Sequence, residues 1–456
     1  MNPLEGNGRE RRGMDTLGVD QTVDIAIIGA GAAGLFAGIW AGRSLGGAVA
    51  GAPGRQPSIL ALDGAKVLGA KILVAGGGRC NVTHHAVDEL QFAGSSRNAV
   101  KKVLRRFDVP QTVAFFAELG VTLKREETGK LFPTTDDAHT VLDALLRAAA
   151  AVKVQIRHPW RVKNVRNYGE FFEVEGESEG QGPIVRARRV ILATGGMALP
   201  KSGSDGRGYA FAKGLGHTIT PRVFPALVPL TMPKDHWICQ LSGITLETTL
   251  ELRASSGKKL AAYTNSTLLT HFGLSGPGPL DISRYLLAAR HEDSGARLVI
   301  NWLPGATREA VDADLLALGV RSPGRYLRER GLAQRLAEAI CIAAKIDPSM
   351  HGHAMTREGR KELVRTITEA EAPISGDRGF TYAEVTAGGV PLSELQLTTM
   401  ESRVCPGLFI CGELCDVDGR IGGFNFQWAW ASGFVAGSAA AASLSLSRDA
   451  DESVSG

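Results

Sequence analysis

The sequence predicts an α/β protein built on a Rossmann-like dinucleotide-binding unit, and three features predict it. A short branched apolar run, Val23–Ile28, leads directly into the glycine loop Gly29-Ala30-Gly31-Ala32-Ala33-Gly34. A second apolar run, Ser58–Leu62, ends in Asp63. Glycine turns then recur far downstream, the last at Gly422-Gly423. Buried parallel strands read as continuous apolar runs, and the order strand, GxGxxG, helix, strand is the dinucleotide-binding fingerprint.

The elements follow in order. Leu35 to Arg43 reads as the helix that the glycine loop opens. Gly46–Pro57 is rich in Gly, Ala and Pro and longer than a typical connection, so it reads as a surface insertion. Residues 97–120 and 138–151 are helical in pattern, and Val152–Val174 reads as strands in a hairpin-like region. Val190-Ile191-Leu192 is another buried strand, ending in the turn Ala193-Thr194-Gly195-Gly196. After Pro221 the pattern changes: Thr245–Arg253 and Arg297–Leu303 alternate or carry β-branched residues, which predicts a β-rich insert. Thr307–Ala370, rich in Ala, Leu, Arg and Glu, predicts a helical subdomain. Strand signals return at Thr381–Val385 and Gly407–Cys411.

Composition narrows the class. A chain of 456 residues is long enough for two or three domains. A net charge of +4 admits an anionic ligand but does not indicate a nucleic-acid binder. The six cysteines form neither a dense framework nor a CxxC pair, which argues against a disulfide scaffold and a metal site. No apolar run reaches the roughly 18 residues of a membrane span. Residues 1–20 are polar, and no apolar segment follows Arg11-Arg12, so they read as a disordered tail and not a signal peptide. The cytoplasm is the expected compartment.

The glycines carry the chemistry. Gly29 permits the tight turn, Gly31 lets the backbone approach a pyrophosphate, and Gly34 lets the helix pack on the strand. Ala32 and Ala33 of the same loop are candidate cofactor contacts, and Asp63 is placed to accept from ribose hydroxyls. A nicotinamide-only enzyme needs just this first motif. This chain adds Gly76-Gly77-Gly78-Arg79-Cys80-Asn81, then Ala193-Thr194-Gly195-Gly196, then Gly412-Glu413 with Gly422-Gly423. A cofactor gripped at both ends of the chain is FAD. Glu413, at a strand end, is placed to accept from ribityl hydroxyls. A helix opening at Gly422-Gly423 would favour negative charge on the reduced flavin N1/O2 edge. Lys71, Asp416 and Asn425 join these as candidate cofactor contacts.

These motifs resemble a family. Gly76–Thr83, Gly129-Lys130-Leu131-Phe132-Pro133, Pro225–Leu230, Thr270–Pro277, Ala383–Val390 and Gly422–Ala429 run in the order found in BaiN/RdsA-type bacterial flavoproteins. These are also labelled aminoacetone-oxidase-family FAD-binding enzymes and are distant relatives of fumarate-reductase-type flavoproteins. Asp63, where that family often has Glu, and the 46–57 insertion are departures. The resemblance implies a discontinuous Rossmann-like FAD-binding domain interrupted by a β-barrel-like domain and a helical subdomain. The expected division is a tail (1–20), FAD domain (21–200), β-rich insert (201–304), helical subdomain (305–372), β-rich return (373–400), FAD domain (401–445) and tail (446–456).

The resemblance also implies reduction of an activated C=C bond, in an enone-like small molecule or in uracil of ribosomal RNA. FAD would do the hydride chemistry, and the protein would supply a proton. Cys80, His271 and Tyr382 are the candidate donors. Arg79 is expected to serve the cofactor or the structure, and His217 to be structural. No second GxGxxG is present, and Gly129-Lys130 lacks the rest of a Walker loop, so NAD(P)H is expected to bind transiently at the flavin face. The competing expectations are an oxidase of a small amine or ketone that yields hydrogen peroxide, and an RNA-associated flavoprotein. The second rests on the arginines of 307–370, which are interspersed with acids.

Overall fold

The computed structural model describes residues 19–48, 57–179 and 182–454. Most of the expected 46–57 insertion and of the N-terminal tail lies outside the described residues.

Five parallel strands form the centre of a nine-stranded sheet, in the order Leu408–Ile410, Ile184–Leu192, Val19–Ile28, Ile59–Leu62, Val154–Arg157. Ile25, Ile27, Leu60, Val190 and Ile191 are fully buried, as a sheet covered on both faces requires. The helix Ala32–Ala48 follows the first strand. The long helix Phe424–Val454 lies against it, closely enough that a Cβ on Gly437 would sit 2.0 Å from the Ala37 carbonyl oxygen. The expected hairpin is Val162–Asn167 paired with Phe172–Gly176, while Val154–Arg157 joins the parallel sheet.

Several expectations need correction. Residues 97–120 form two helices, Arg97–Leu104 and Val109–Glu118. They are divided where Asp108 caps the second helix by accepting from the Gln111 N–H, with a proline in that helix's first turn. The expected strand at Thr381–Val385 is a turn through Tyr382, and the strand is Val385–Ala387. The expected tail from 446 is helical to Val454. Extending a packed helix by one residue is far easier than nucleating one, so the polar end continues it.

The insert is a seven-stranded antiparallel sheet, and its two outer strands are Ala370–Ala372 and Gly376–Asp377. Four Cα steps separate these outer strands and reach only about 14 Å, so the sheet is rolled toward closure. The helices between Arg308 and Thr368 do not form a core of their own. Leu315, Leu327, Ile340 and Leu363 share one core with Leu250, Leu298 and Trp302 of the sheet side.

The first core reaches past residue 201, since Tyr209, Phe211 and Ala212 belong to it, and resumes before 401 with Val390, Leu392 and Leu395. Phe224–Ala226 and Val385–Ala387 pair antiparallel in a separate two-stranded sheet, at the start and end of the insert. Among the described residues no helix is long and apolar enough to cross a membrane.

Candidate functional site

Parallel strands end on one edge of a sheet, and in such sheets ligands bind beyond the strands' carboxyl ends. Four strands here deliver their following residues to one place: Ile28 to Gly29, Leu62 to Asp63, Leu192 to Ala193, and Ile410 to the Gly412 turn. These residues line a single cavity of about 620 Å³.

The three fingerprint glycines differ as the motif requires. Gly29 has φ +95°, and a Cβ there would lie 2.5 Å from the Ala193 carbonyl oxygen. A Cβ on Gly34 would lie 1.9 Å from the Gly29 carbonyl oxygen, so this glycine seats the helix on the strand. A Cβ on Gly31 would meet nothing within 4 Å. Gly31 lines the cavity, so the backbone is bare where a pyrophosphate approaches a helix N-terminus. Asn81, also on the wall, has a buried Oδ1 that accepts no hydrogen bond from the described residues. Bare backbone, an unsatisfied amide and a carboxylate at the second strand end fit a flavin dinucleotide.

Asp63 is held by two main-chain donors. Its Oδ2 accepts from the Ala30 N–H at 2.7 Å and its Oδ1 from the Ala65 N–H at 2.8 Å. Each carboxylate oxygen keeps a second lone pair for a ribose hydroxyl. Lys71 Nζ pairs with Glu413 Oε2 at 2.5 Å, and Glu413 Oε1 accepts from the Thr386 N–H at 3.0 Å. Arg79 stacks on Phe132 with its guanidinium 4.0 Å from the ring centroid, and pairs with Glu126 at 2.7 Å. Asn425 closes its own turn, its Oδ1 accepting from the Gly419 N–H at 2.8 Å.

The long helix fastens these loops. Trp428 Nε1 donates to the Gly412 carbonyl at 3.0 Å, Trp430 Nε1 to the Val82 carbonyl at 2.8 Å, and Ser432 Oγ accepts from the Gly412 N–H at 3.0 Å.

Of the expected cofactor contacts, Gly29, Gly31, Ala32, Ala33, Asp63, Lys71, Gly77, Arg79 and Asn81 line the cavity. So do Ala193, Thr194, Gly195, Gly412, Glu413, Gly422, Gly423 and Asn425. Gly78 is exposed and lies off the wall, while Gly34, Gly196 and Asp416 stand behind it. The reason is packing: a Cβ on Gly196 would sit 2.5 Å from Thr386 Oγ1, and Asp416 accepts from Ser95.

None of the three expected proton donors lines the cavity. Cys80 is fully buried, and burial pushes its thiol up to about 12. His271 is exposed at the turn joining Lys259–Thr270 to Gly273–Ser275. Tyr382 is exposed and stacked under Arg378, 3.4 Å from guanidinium to ring centroid. His217 is structural as expected: it is buried, with Nδ1 2.7 Å from Glu394 Oε2.

Several wall residues were not picked out from sequence, among them six that are polar, charged or beside the charged groups. Trp160 and Arg161 stand beside Asp63, and the Trp160 N–H donates to the Asp63 carbonyl. Lys130, Glu384, Val385 and Arg420 stand with Ile421 and Gly422. Arg420 donates from Nη2 to Asp281 Oδ2 at 3.0 Å, and Asp281 Oδ1 accepts from the Ile421 N–H at 2.8 Å. The signal for Lys130 was the preceding Gly129: its φ is +84°, and a Cβ there would collide with the rings of His84 and His85.

The HI0933-like protein Rossmann domain family matches residues 23–439. The chain is 35% identical over 425 residues to a protein of Clostridium scindens named 3-dehydro-bile acid delta(4,6)-reductase, covering 91% of this chain and 98% of that one. It is 32% identical over 419 residues to the ribosomal RNA dihydrouridine synthase of Escherichia coli, covering 90% of this chain and 96% of that one. A solved 3-ketosteroid delta1-dehydrogenase from Sterolibacterium denitrificans is 12% identical with a TM-score of 0.49, covering 92% of this chain and 100% of that one. The chain therefore belongs to the HI0933-like Rossmann family, a family of flavin-dependent oxidoreductases.

Proposed function

We propose that this chain is an FAD-dependent oxidoreductase that takes electrons from NAD(P)H and reduces an activated C=C bond in an enone-like small molecule. The observation that carries this reading is the charge at the Gly422 end of the cavity. Lys130 and Arg420 both line the cavity, Lys130 Cε would lie 3.7 Å from a Cβ on Gly422, and both cations act on Asp281, so the oxygen of a polarised carbonyl could be held there. A C=C bond conjugated to that carbonyl becomes electrophilic when the oxygen meets a cation. Bound FAD supplies the hydride, and NAD(P)H restores it.

The residues divide the work. Gly29, Gly31 and Ala32 present main-chain groups to phosphates, and Asp63 presents lone pairs to a ribose. Lys71 and Glu413, both on the wall, hold each other. Asp281, fully buried in its side chain, keeps Arg420 in place.

Uracil carries the same conjugated unit, so uracil in ribosomal RNA is the alternative substrate. The helical segment does not favour RNA: Arg321, Arg325, Arg330, Arg360 and Arg365 each pair with a carboxylate, which leaves Arg328, Arg335 and Arg357 without an ion pair among the described residues. A paired, solvated face has little net field with which to attract a phosphate backbone.

The test is spectroscopic. Protein loaded with FAD and reduced by NAD(P)H without oxygen is offered a 3-oxo-4-ene steroid or a uridine-containing RNA fragment. The steroid is expected to restore the oxidised flavin spectrum. Reoxidation only by oxygen, with hydrogen peroxide formed, would replace this reading with the oxidase.

A further inference from the structure

Glu384 carries a carboxyl that the fold does not use. Its main-chain N–H donates to the Leu227 carbonyl at 3.1 Å, which fixes the residue just before the Val385–Ala387 strand. Its side chain makes no hydrogen bond or ion pair with any described residue. It lines the same cavity as Lys130 and Arg420. The side chain is exposed, yet burial is the largest influence on its acidity. A group that opens onto an interior cavity and not onto the outer surface has this combination.

The charges around it are few and named. Burial raises the pKa of Glu384, Lys130 opposes the rise, Asp281 adds to it, and Lys71 opposes it. Asp281 is already committed to Arg420 and to the Ile421 N–H. Lys71 is committed to Glu413. Lys130 has no ion-pair partner among the described residues. Glu384 is thus the uncommitted acid, and Lys130 the uncommitted cation, at one end of one cavity.

We infer that Glu384 is the catalytic residue that protonates the substrate carbon, while Lys130 and Arg420 hold the substrate's carbonyl oxygen. The inference rests on the C=C reductase reading given above. The step balances as follows. A hydride bonds to the β-carbon, the C=C π pair moves toward the α-carbon, and the α-carbon takes the proton of the Glu384 carboxyl. The carboxylate left behind regains a proton from solvent. NAD(P)H is the electron donor, and the sum is C=C plus NAD(P)H plus H⁺ giving CH–CH plus NAD(P)⁺. A carboxyl whose hold on its proton is strengthened by burial is suited to general acid work.

The test uses Glu384→Gln and Glu384→Asp in the full chain, with a 3-oxo-4-ene steroid as probe. Glutamine keeps the shape but has no acidic proton to give. FAD binding to the cofactor-free protein, read by fluorescence quenching, is expected to stay within about twofold, because the Glu384 side chain makes no hydrogen bond or ion pair with the described residues that hold the cofactor loops. Flavin reduction by NAD(P)H is expected to be unchanged. Reoxidation by the steroid is expected to slow by about 100-fold or more in Glu384→Gln, the usual share of a general acid, with partial recovery in Glu384→Asp. Difference infrared spectra of the cofactor-free protein at neutral pH should show a protonated-carboxyl stretch that Glu384→Gln removes.

Wild-type turnover together with an equally fast Glu384→Gln variant would overturn the inference and leave the reductase reading standing. A carboxylate signal in place of the protonated stretch would also overturn it. A wild-type protein that no enone or uracil reoxidises would instead remove the reductase reading, and the inference with it.

Discussion

Substituting Gly31 separates cofactor binding from folding. A Cβ at Gly31 would meet nothing within 4 Å, and the residue lines the cavity. Its φ lies outside the range that favours glycine, so alanine enters without backbone strain. Folding stability is therefore expected to stay level or rise by up to about 1 kcal/mol, because alanine narrows the unfolded chain. The new methyl stands where the pyrophosphate must approach. Forcing an extra methyl into a close contact costs about 1–3 kcal/mol, which is a loss of about 5- to 150-fold in FAD affinity.

Gly34→Ala is the control with the opposite signature. Its Cβ would lie 1.9 Å from the Gly29 carbonyl oxygen, against main chain that cannot swing away. That variant is expected to lose stability by about 3 kcal/mol or more. Urea unfolding of the cofactor-free proteins and titration with FAD give the two numbers for each variant. A Gly31→Ala protein that binds FAD as tightly as wild type would refute the placement of the pyrophosphate at this loop.

Three further outcomes follow. Glu413→Gln breaks the 2.5 Å pair with Lys71 and weakens the hold on Thr386; a charged hydrogen bond of this kind contributes about 1.5–3 kcal/mol, read as a lower urea midpoint and weaker FAD binding. Cys80→Ala is expected to keep steady-state turnover within about twofold, as for a buried packing residue; loss of turnover with an intact fold would restore the cysteine as the acid. Asp418 is fully buried beside Arg284, and burial outweighs the cation to push its carboxyl up to about 6. An acid raised on folding binds its proton more tightly in the folded state, so its contribution is full below the unfolded value and lost as pH rises toward 6. Wild-type stability should therefore fall between about pH 4 and 6 more steeply than that of Asp418→Asn, as measured by urea unfolding across that range.

The legible parts of the fold were those written locally. Val23–Ile28, the glycine loop and Ser58–Leu62 lie within one stretch, and each is a propensity or a φ requirement that neighbours in sequence can state. Thr245–Arg253 was legible to its ends because its alternation matches a half-buried strand. The site was less legible wherever it depends on distant pairing. Lys71 and Glu413 lie 342 positions apart, and only the finished parallel sheet brings them together.

Glu384 carries no local mark. It reaches the cavity because Val385–Ala387 pairs with Phe224–Ala226. Cys80 misled for a related reason. Arg79 and Asn81, on either side of it, face the cavity, while Cys80 with φ 59° turns into the core. His271 lies in Thr270–Pro277, whose short strand Gly273–Ser275 pairs inside the rolled sheet.

The most direct measurement is an anaerobic cycle followed by flavin absorbance and product mass. NAD(P)H should bleach the FAD bound to this protein, and one equivalent of a 3-oxo-4-ene steroid should restore the colour while gaining two hydrogens at its C=C bond. A flavin that stays bleached until oxygen is admitted, with the steroid unchanged, would contradict the account.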